Sequence, residues 1–384
     1  MIINRGIVDN LAVTLDLNKL SKFVGGKNAL VVQGGGQRGI FTAGVLDAFI
    51  LSNIDPFDAF YGTSAGALNL CPFVCRQPLL GKAFISELTT DPRFFSLFRY
   101  IRHNEPLNVS WALDKICSYP YHLDIDLGKK VLGQRQCMAA VTRAGTLQDE
   151  YLPIFSKQWK EILRGSCAIP QLCGDSVAIG EQRYFDGGIS ASVPAQEAWR
   201  NGARLIVVIR TEVASELPVL ASALPVNAIP VTTEDPGQWG QTIEKWFRDL
   251  NVFSRYKNDK AARKEQAKDL LNGGRWLFGT DYIYRIAYLL GTQFDSTLKD
   301  MLLRHYQSYA ETMKFLAQPP DDCFIVEIAP AQPLRSNSLM TKKEVLLEDY
   351  QIGLDAGYHF VELLREVDRR TGQPFIYSKY GLQS

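Results

Sequence analysis

The sequence predicts an α/β fold built on a mainly parallel sheet, and three observations carry that prediction. The stretch "ALVVQGGGQRGIFTAGVLDAF" (29–49) runs from an apolar strand through three glycines into an amphipathic helix. A second apolar strand, "DAFYG" (58–62), passes at once into "TSAGALNLC", a small-residue turn that enters another helix. Two such strands with a helix between them make a βαβ unit, whose right-handed crossover sets both post-strand turns at one carboxyl edge of a parallel sheet. Further strands are predicted at "RQCMAAVTR" (135–143), "RYFDGG" (183–188), "RLIVVIR" (204–210) and "CFIVEIA" (323–329), with helical patterns between them at 158–164 and 194–201.

Taken in order, residues 1–27 read as a short amphipathic lead-in. "NALVVQ" (28–33) is a buried strand, and 38–51 a helix with Ile40, Phe41, Val45, Leu46, Phe49 and Ile50 on one broad face. Residues 28–210 hold most of the predicted strands and the helices between them. Pro218, Pro225, Pro230 and Pro236 mark 211–240 as a long loop, placed where a lid would hinge at an α/β edge. Residues 241–384 are mainly helical with one further strand near 323–329. They carry a basic patch at 255–268 and a last helix or helical pair, with Gly353 and Gly357 as weak points.

Composition narrows the function. The 384 residues carry a net charge of +1 from 42 basic and 41 acidic side chains, so no global field steers the chain to nucleic acid or holds it on an anionic membrane. Any lipid contact is local and transient. No secretory pattern opens the chain and no window is apolar enough to span a bilayer, which predicts a cytoplasmic protein with peripheral contact at the membrane surface. Seven cysteines with no C-x-x-C pair argue against a zinc site or a disulfide framework.

Ser64 lies in "GTSAG", a G-x-S-x-G placed where a strand turns into a helix. Glycines two residues to either side relieve crowding, so the hydroxyl projects above the sheet edge beside a helix N-terminus. A tight turn of small residues spells the same pentapeptide without chemistry. The turn at Gly34, Gly35 and Gly36 follows the neighbouring strand and aims bare N–H groups at the same region, where an oxyanion would form. "DGG" adds Asp186 at the end of a third strand. Asp-Gly is a common structural turn, yet a serine needs a base and a desolvated carboxylate is one.

The same glycines spell G-x-G-x-x-G through Gly34, Gly36 and Gly39, so a nucleotide-binding regulatory protein with "GGGQRG" as its phosphate cradle is the competing class. That fold wants an acid after the second strand, whereas Asp55 and Asp58 precede "AFYG". Histidine, the usual base, occurs only at 103, 122, 305 and 359, and none follows the terminal strand as in an α/β-hydrolase. His305 and His359 fall inside helical patterns and are assigned structural or surface roles.

In order and spacing, "GGGQRG", "GTSAG" and "DGG", with "FTAGVLDAF" and "SCAIP" around them, resemble the patatin-like phospholipases, in particular an uncharacterised bacterial branch. The resemblance covers residues 28–210. It implies a three-layer α/β/α fold with helical C-terminal additions, and a Ser-Asp dyad in place of a triad. On this resemblance Ser64 is the nucleophile, Asp186 its base, and Gly34, Gly35 and Gly36 the oxyanion hole, supported by Arg38 and Gly39. Arg38 opposes the dipole of its helix, so a lipid phosphate or a backbone carbonyl is expected to compensate it. "RGSCAIP" (164–170) resembles a family segment near the active site, while Ser166 itself is read as a helix end and not as a catalytic residue. The substrates implied are acyl esters of phospholipids or related lipids, with no cofactor or metal and no nucleic acid. An acyltransferase or short-chain esterase would use the same dyad. "FFSLFRYIR" (94–102) and "WLFGTDYIYRIAYLLG" (276–291) are read as core helices first and acyl-chain walls second, and Pro72 should kink or shorten the helix after Ser64.

Overall fold

A computed structural model describes residues 4–95, 107–170, 176–214, 296–371 and 379. Its strands, in chain order, are β1 (Arg5–Val8), β2 (Val13–Thr14), β3 (Asn28–Val32), β4 (Ala59–Thr63), β5 (Gln136–Arg143), β6 (Asp149–Pro153), β7 (Val177–Ile179), β8 (Gln182–Asp186), β9 (Leu205–Ile209) and β10 (Phe324–Ile328). The helices that matter for the site are α1 (Gly39–Leu51), α2 (Ala65–Val74), α3 (Val109–Ile116), α4 (Trp159–Ser166), α5 (Ala195–Arg200), α6 (Ser296–Ala317) and α7 (Lys343–Thr371).

All ten described strands join one sheet, ordered β2-β1-β10-β9-β3-β4-β5-β8-β7, with β6 also paired to β5. The run β1-β10-β9-β3-β4-β5 is parallel, and β2, β6, β8 and β7 pair antiparallel at its flanks. Successive side chains of a strand point to opposite faces. Leu30, Val32 and Phe60 therefore enter a core shared with α1, α2, α3, α4 and α7, while Ala29, Val31, Ala59 and Tyr61 enter a second core under α5 and α6. The result is the three-layer α/β/α arrangement.

Several sequence expectations change. The lead-in at 1–27 contributes β1 to the parallel sheet, where Arg5 stands opposite Ile325 and Val8 opposite Ile328. Likewise β10 inserts between β1 and β9, so part of 241–384 completes the central sheet and covers an edge that β9 would otherwise expose. The amphipathic helix α1 is buried nearly all round, Thr42 and Asp47 included, because α7 crosses it. Gly353 and Gly357 do not weaken α7, which is one continuous helix. A Cβ at Gly353 would overlap the Phe41 carbonyl, and one at Gly357 would stand 2.9 Å from the Val45 carbonyl, so these glycines let two helix backbones touch. Pro72 does not end α2, which runs two residues further. Residues 215–240, the basic patch at 255–268, "WLFGTDYIYRIAYLLG", most of "FFSLFRYIR" and His103 lie outside the described residues.

Candidate active site

The parallel register brings the predicted turns together. Val32 stands opposite Gly62, Thr63 opposite Ala140, and Ile209 opposite Val32, so the segments after β3, β4 and β9 emerge side by side. β8 reaches this edge from beyond it, antiparallel to β5, and places Asp186 opposite Val141. Ser64 and Asp186 thus flank β5, with two ladder steps of roughly 4.8 Å between their main chains.

Ser64 has φ +52° and ψ −121°, a conformation that non-glycine residues rarely adopt. Close packing holds it there. A Cβ at Gly66 would overlap the Val32 carbonyl, and one at Gly62 would lie 2.7 Å from the Ala67 backbone. From behind, the Ser64 N–H donates to Ser166 Oγ at 2.9 Å, and Ser166 Oγ in turn donates to the Ala140 carbonyl at 2.7 Å. Ser166 is fully buried and braces the elbow, a role its position at the end of α4 did not signal.

Asp186 is buried. Its backbone N–H donates to the Ala168 carbonyl at 2.9 Å, and its Oδ1 accepts from the Gly188 N–H at 2.6 Å. Thr142 Oγ1 donates to the Asp186 carbonyl at 2.8 Å and lies 2.7 Å from Ser190 Oγ. Desolvation pushes the Asp186 carboxyl up to about 7, against the smaller lowering effects of the Gly188 N–H and the Ser64 hydroxyl. Among the described residues Oδ2 accepts no hydrogen bond of full geometry. The Ser64 contact is therefore a loose one.

At the glycine-rich turn, Gly35 has φ +148° and Gly36 φ +58°, both open to glycine and strained for other residues. The Gly34 N–H donates to the Ser192 carbonyl at 3.3 Å, while no described residue accepts from the N–H of Gly35 or Gly36. Gly36 and Ser64 open on an apolar pocket of about 780 Å³ including its mouth, walled by Leu80, Phe84, Ile85, Leu113, Ile116 and Leu339. Pro72 and Phe94 also line it. Leu339 comes from the C-terminal region, whose Ser338 carbonyl accepts from the Gln37 N–H at 2.8 Å.

Arg38 is not among the residues that line the pocket, and its charge is met by a carboxylate. Its Nη1 pairs with Glu212 Oε1 at 3.0 Å, a carboxylate from the segment after β9. Burial alone would raise Glu212, but Arg38 and the Tyr309 hydroxyl hold its carboxyl down to about 2. Gly39 packs where Asn69 Nδ2 donates to its carbonyl at 3.0 Å, tying α1 to α2. His359 Nδ1 meets the Asp9 carbonyl, after β1, at 2.8 Å, whereas His305 Nδ1 meets the Gly188 carbonyl at 2.7 Å, inside the Asp186 turn. Sequence reasoning did not connect His305, Thr142 or Glu212 to this centre; for Ser166 the resemblance placed its segment nearby but read the residue as a helix end.

A family model described as patatin-like phospholipase matches residues 30–199. The uncharacterised protein YjjU of Escherichia coli strain K12 is 30% identical over 347 residues, which is 89% of this chain and 79% of that one. The chain belongs to the patatin-like phospholipase family. A second model, described as a domain of unknown function (DUF6363), matches residues 295–368 and so takes in α6, β10 and most of α7. The crystal structure of VipD from Legionella pneumophila gives a TM-score of 0.36 at 14% identity over 89% of this chain and 67% of that chain, too slight a likeness to bear on fold or function. Patatin-like phospholipases are lipid acyl hydrolases as a class, and no described helix here is long and apolar enough to cross a membrane.

Proposed function

We propose that this patatin-like chain is a serine acyl hydrolase that cleaves fatty-acyl esters of phospholipids or related lipids through a Ser64–Asp186 dyad. The observation that carries the reading is the strained, positive-φ Ser64 at the mouth of an apolar pocket with a desolvated carboxylate beside it. The pocket takes the acyl chain and places the ester carbonyl over Ser64. As Ser64 Oγ attacks the carbonyl carbon, its proton passes to Asp186, and the negative oxygen of the tetrahedral intermediate meets the N–H groups of Gly35 and Gly36. Preset donors of this kind contribute roughly 3–4 kcal/mol each. Gly34 is not among these donors, since Ser192 already engages its N–H. The leaving alcohol takes the proton back from Asp186, and water, deprotonated by the same carboxylate, releases the acyl group.

Arg38 and Gly39 support the site by fixing the turn and its helix. The lipid is the partner this reading requires, met from the cytoplasm at a membrane surface. The test is labelling by a fluorophosphonate, followed by hydrolysis of a lipid panel, in wild type beside Ser64→Ala and Asp186→Asn. Labelling and hydrolysis that vanish in Ser64→Ala are expected. Labelling that survives Ser64→Ala overturns the reading, and so does transfer to an added alcohol that exceeds fatty-acid release. Saturable low-micromolar binding of NAD or ATP would revive the phosphate-cradle alternative.

A further inference from the structure

Two buried titratable side chains that take no part in the proposed mechanism project from one turn of α6. His305 and Tyr309 are stacked, ring centroids 5.9 Å apart and planes inclined by 27°. His305 Nδ1 lies 2.7 Å from the Gly188 carbonyl. A carbonyl only accepts, so Nδ1 carries the proton and donates. Gly188 is the residue whose own N–H holds Asp186 Oδ1, so the imidazole grips the peptide next to the one that orients the carboxylate. Ser308, also on α6, reaches the Ile189 carbonyl of the same turn at 3.4 Å.

Tyr309 serves the other side of the centre. Its hydroxyl donates to Glu212 Oε2 at 2.6 Å, and Glu212 binds both flanks of the glycine turn: Arg38 after it at 3.0 Å and Gln33 Nε2 before it at 3.3 Å. Thr211, beside Glu212, accepts nothing from this turn but donates to it, through Oγ1 to the Gly34 carbonyl at 2.9 Å. Its N–H donates to Gln33 Oε1 at 3.0 Å.

We propose that α6 is a two-point clamp on the catalytic centre: His305 is a positioning residue for the turn that carries Asp186, and Tyr309, through Glu212, is a positioning residue for the glycine-rich turn beside Ser64. The clamp gives the first helix of the C-terminal region of unknown function a task in the chemistry of the N-terminal motifs. It explains how a chain that uses no catalytic histidine still depends on one.

The inference rests on the hydrolase reading, and two readouts keep them apart: ester hydrolysis resolved into kcat and KM, and amide hydrogen exchange across 186–190 and 34–38 by mass spectrometry. His305→Phe keeps a ring against Tyr309 and removes the donor, whereas His305→Asn places an amide N–H close to the Nδ1 position. With p-nitrophenyl esters, His305→Phe is expected to lower kcat at least tenfold with KM within twofold, and to speed exchange at 186–190 at least tenfold. His305→Asn should recover most of both. Tyr309→Phe should lower kcat about threefold and speed exchange at 34–38. Wild-type kcat with wild-type exchange in folded His305→Phe overturns the clamp, as does equal damage in the Phe and Asn variants. If His305→Phe does not fold, wild-type exchange at 34–38 in Tyr309→Phe overturns it instead. If wild type shows no Ser64-dependent hydrolysis the enzyme reading fails, and the exchange rates alone decide the clamp.

Discussion

The turn that carries Ser64 and the turn that carries Asp186 meet across β5, yet they are held by different means. The serine elbow is shaped mainly by its own pentapeptide, since Gly62 and Gly66 let backbone atoms of β3, β4 and α2 approach where any Cβ would collide. The aspartate turn is held by partners far apart in the chain: Thr142 on β5, the Ala168 carbonyl after α4, and His305 on α6. A nucleophile, the role proposed for Ser64, must hold one strained conformation, which local sterics supply. A buried base, the role proposed for Asp186, must instead be placed and desolvated, which takes surroundings drawn from several layers.

The largest expected effect breaks the pair outright. Asp186→Asn preserves an acceptor for the Gly188 N–H and removes the base, so kcat should fall by about a thousandfold or more. The same substitution should stabilise the fold at alkaline pH. With its carboxyl raised to about 7 in the folded chain, Asp186 holds a proton between about pH 4 and 7 that the unfolded chain has released, so wild-type stability declines as pH rises through that window. Thermal melts should show Asp186→Asn above wild type at pH 8, with the gap closing toward pH 4. In the proposed mechanism the carboxylate is the active form, so kcat/KM should rise with pH through about 7 and then level.

Next in size comes the elbow. Gly66→Ala drives a methyl into the Val32 carbonyl and should cost about 3 kcal/mol or prevent folding, read as a lower Tm or loss of soluble protein. A smaller loss is expected of Ser166→Ala, which leaves the buried Ser64 N–H without its acceptor. Roughly 1–3 kcal/mol of stability and about tenfold in kcat should go, with KM little changed. Smallest is Thr142→Val, a near-isostere that removes the hydroxyl under the Asp186 carbonyl, for about 1 kcal/mol and a fewfold lower kcat. Should Thr142→Val prove more damaging to kcat than Ser166→Ala, the long-range hold on the base would matter more than the brace on the nucleophile.

Much of the central sheet was legible because parallel strands buried on both faces read as continuous apolar runs, as "NALVV" and "LIVVI" do. β6 and β7 escaped notice because "DEYLP" is half-exposed without alternation and "VAI" is three residues long. β1 was missed because its membership in the sheet depends on β10, more than 300 residues away in the chain. In the site, Ser64 and Asp186 stood out because each sits in a glycine-flanked turn after an apolar strand. Arg38 was legible as an unusual cation at a helix start, but not its carboxylate partner, since nothing near Glu212 in sequence marks it as facing Arg38.

By itself the sequence determined the parallel βαβ unit, the positions of its two turns at one edge, and the residue types able to do ester chemistry there. Those follow from local sterics and from a handedness that short apolar strands and helices obey without regard to the rest of the chain. Only the tertiary structure decided which backbone donors stay unengaged, that Gly34 is not one of them, and that Ser166, Thr142, Glu212, His305 and Tyr309 hold the two turns in place. Hydrogen bonds and burial between distant segments carry no periodic trace in the sequence, because they depend on where each layer of the fold is finally packed.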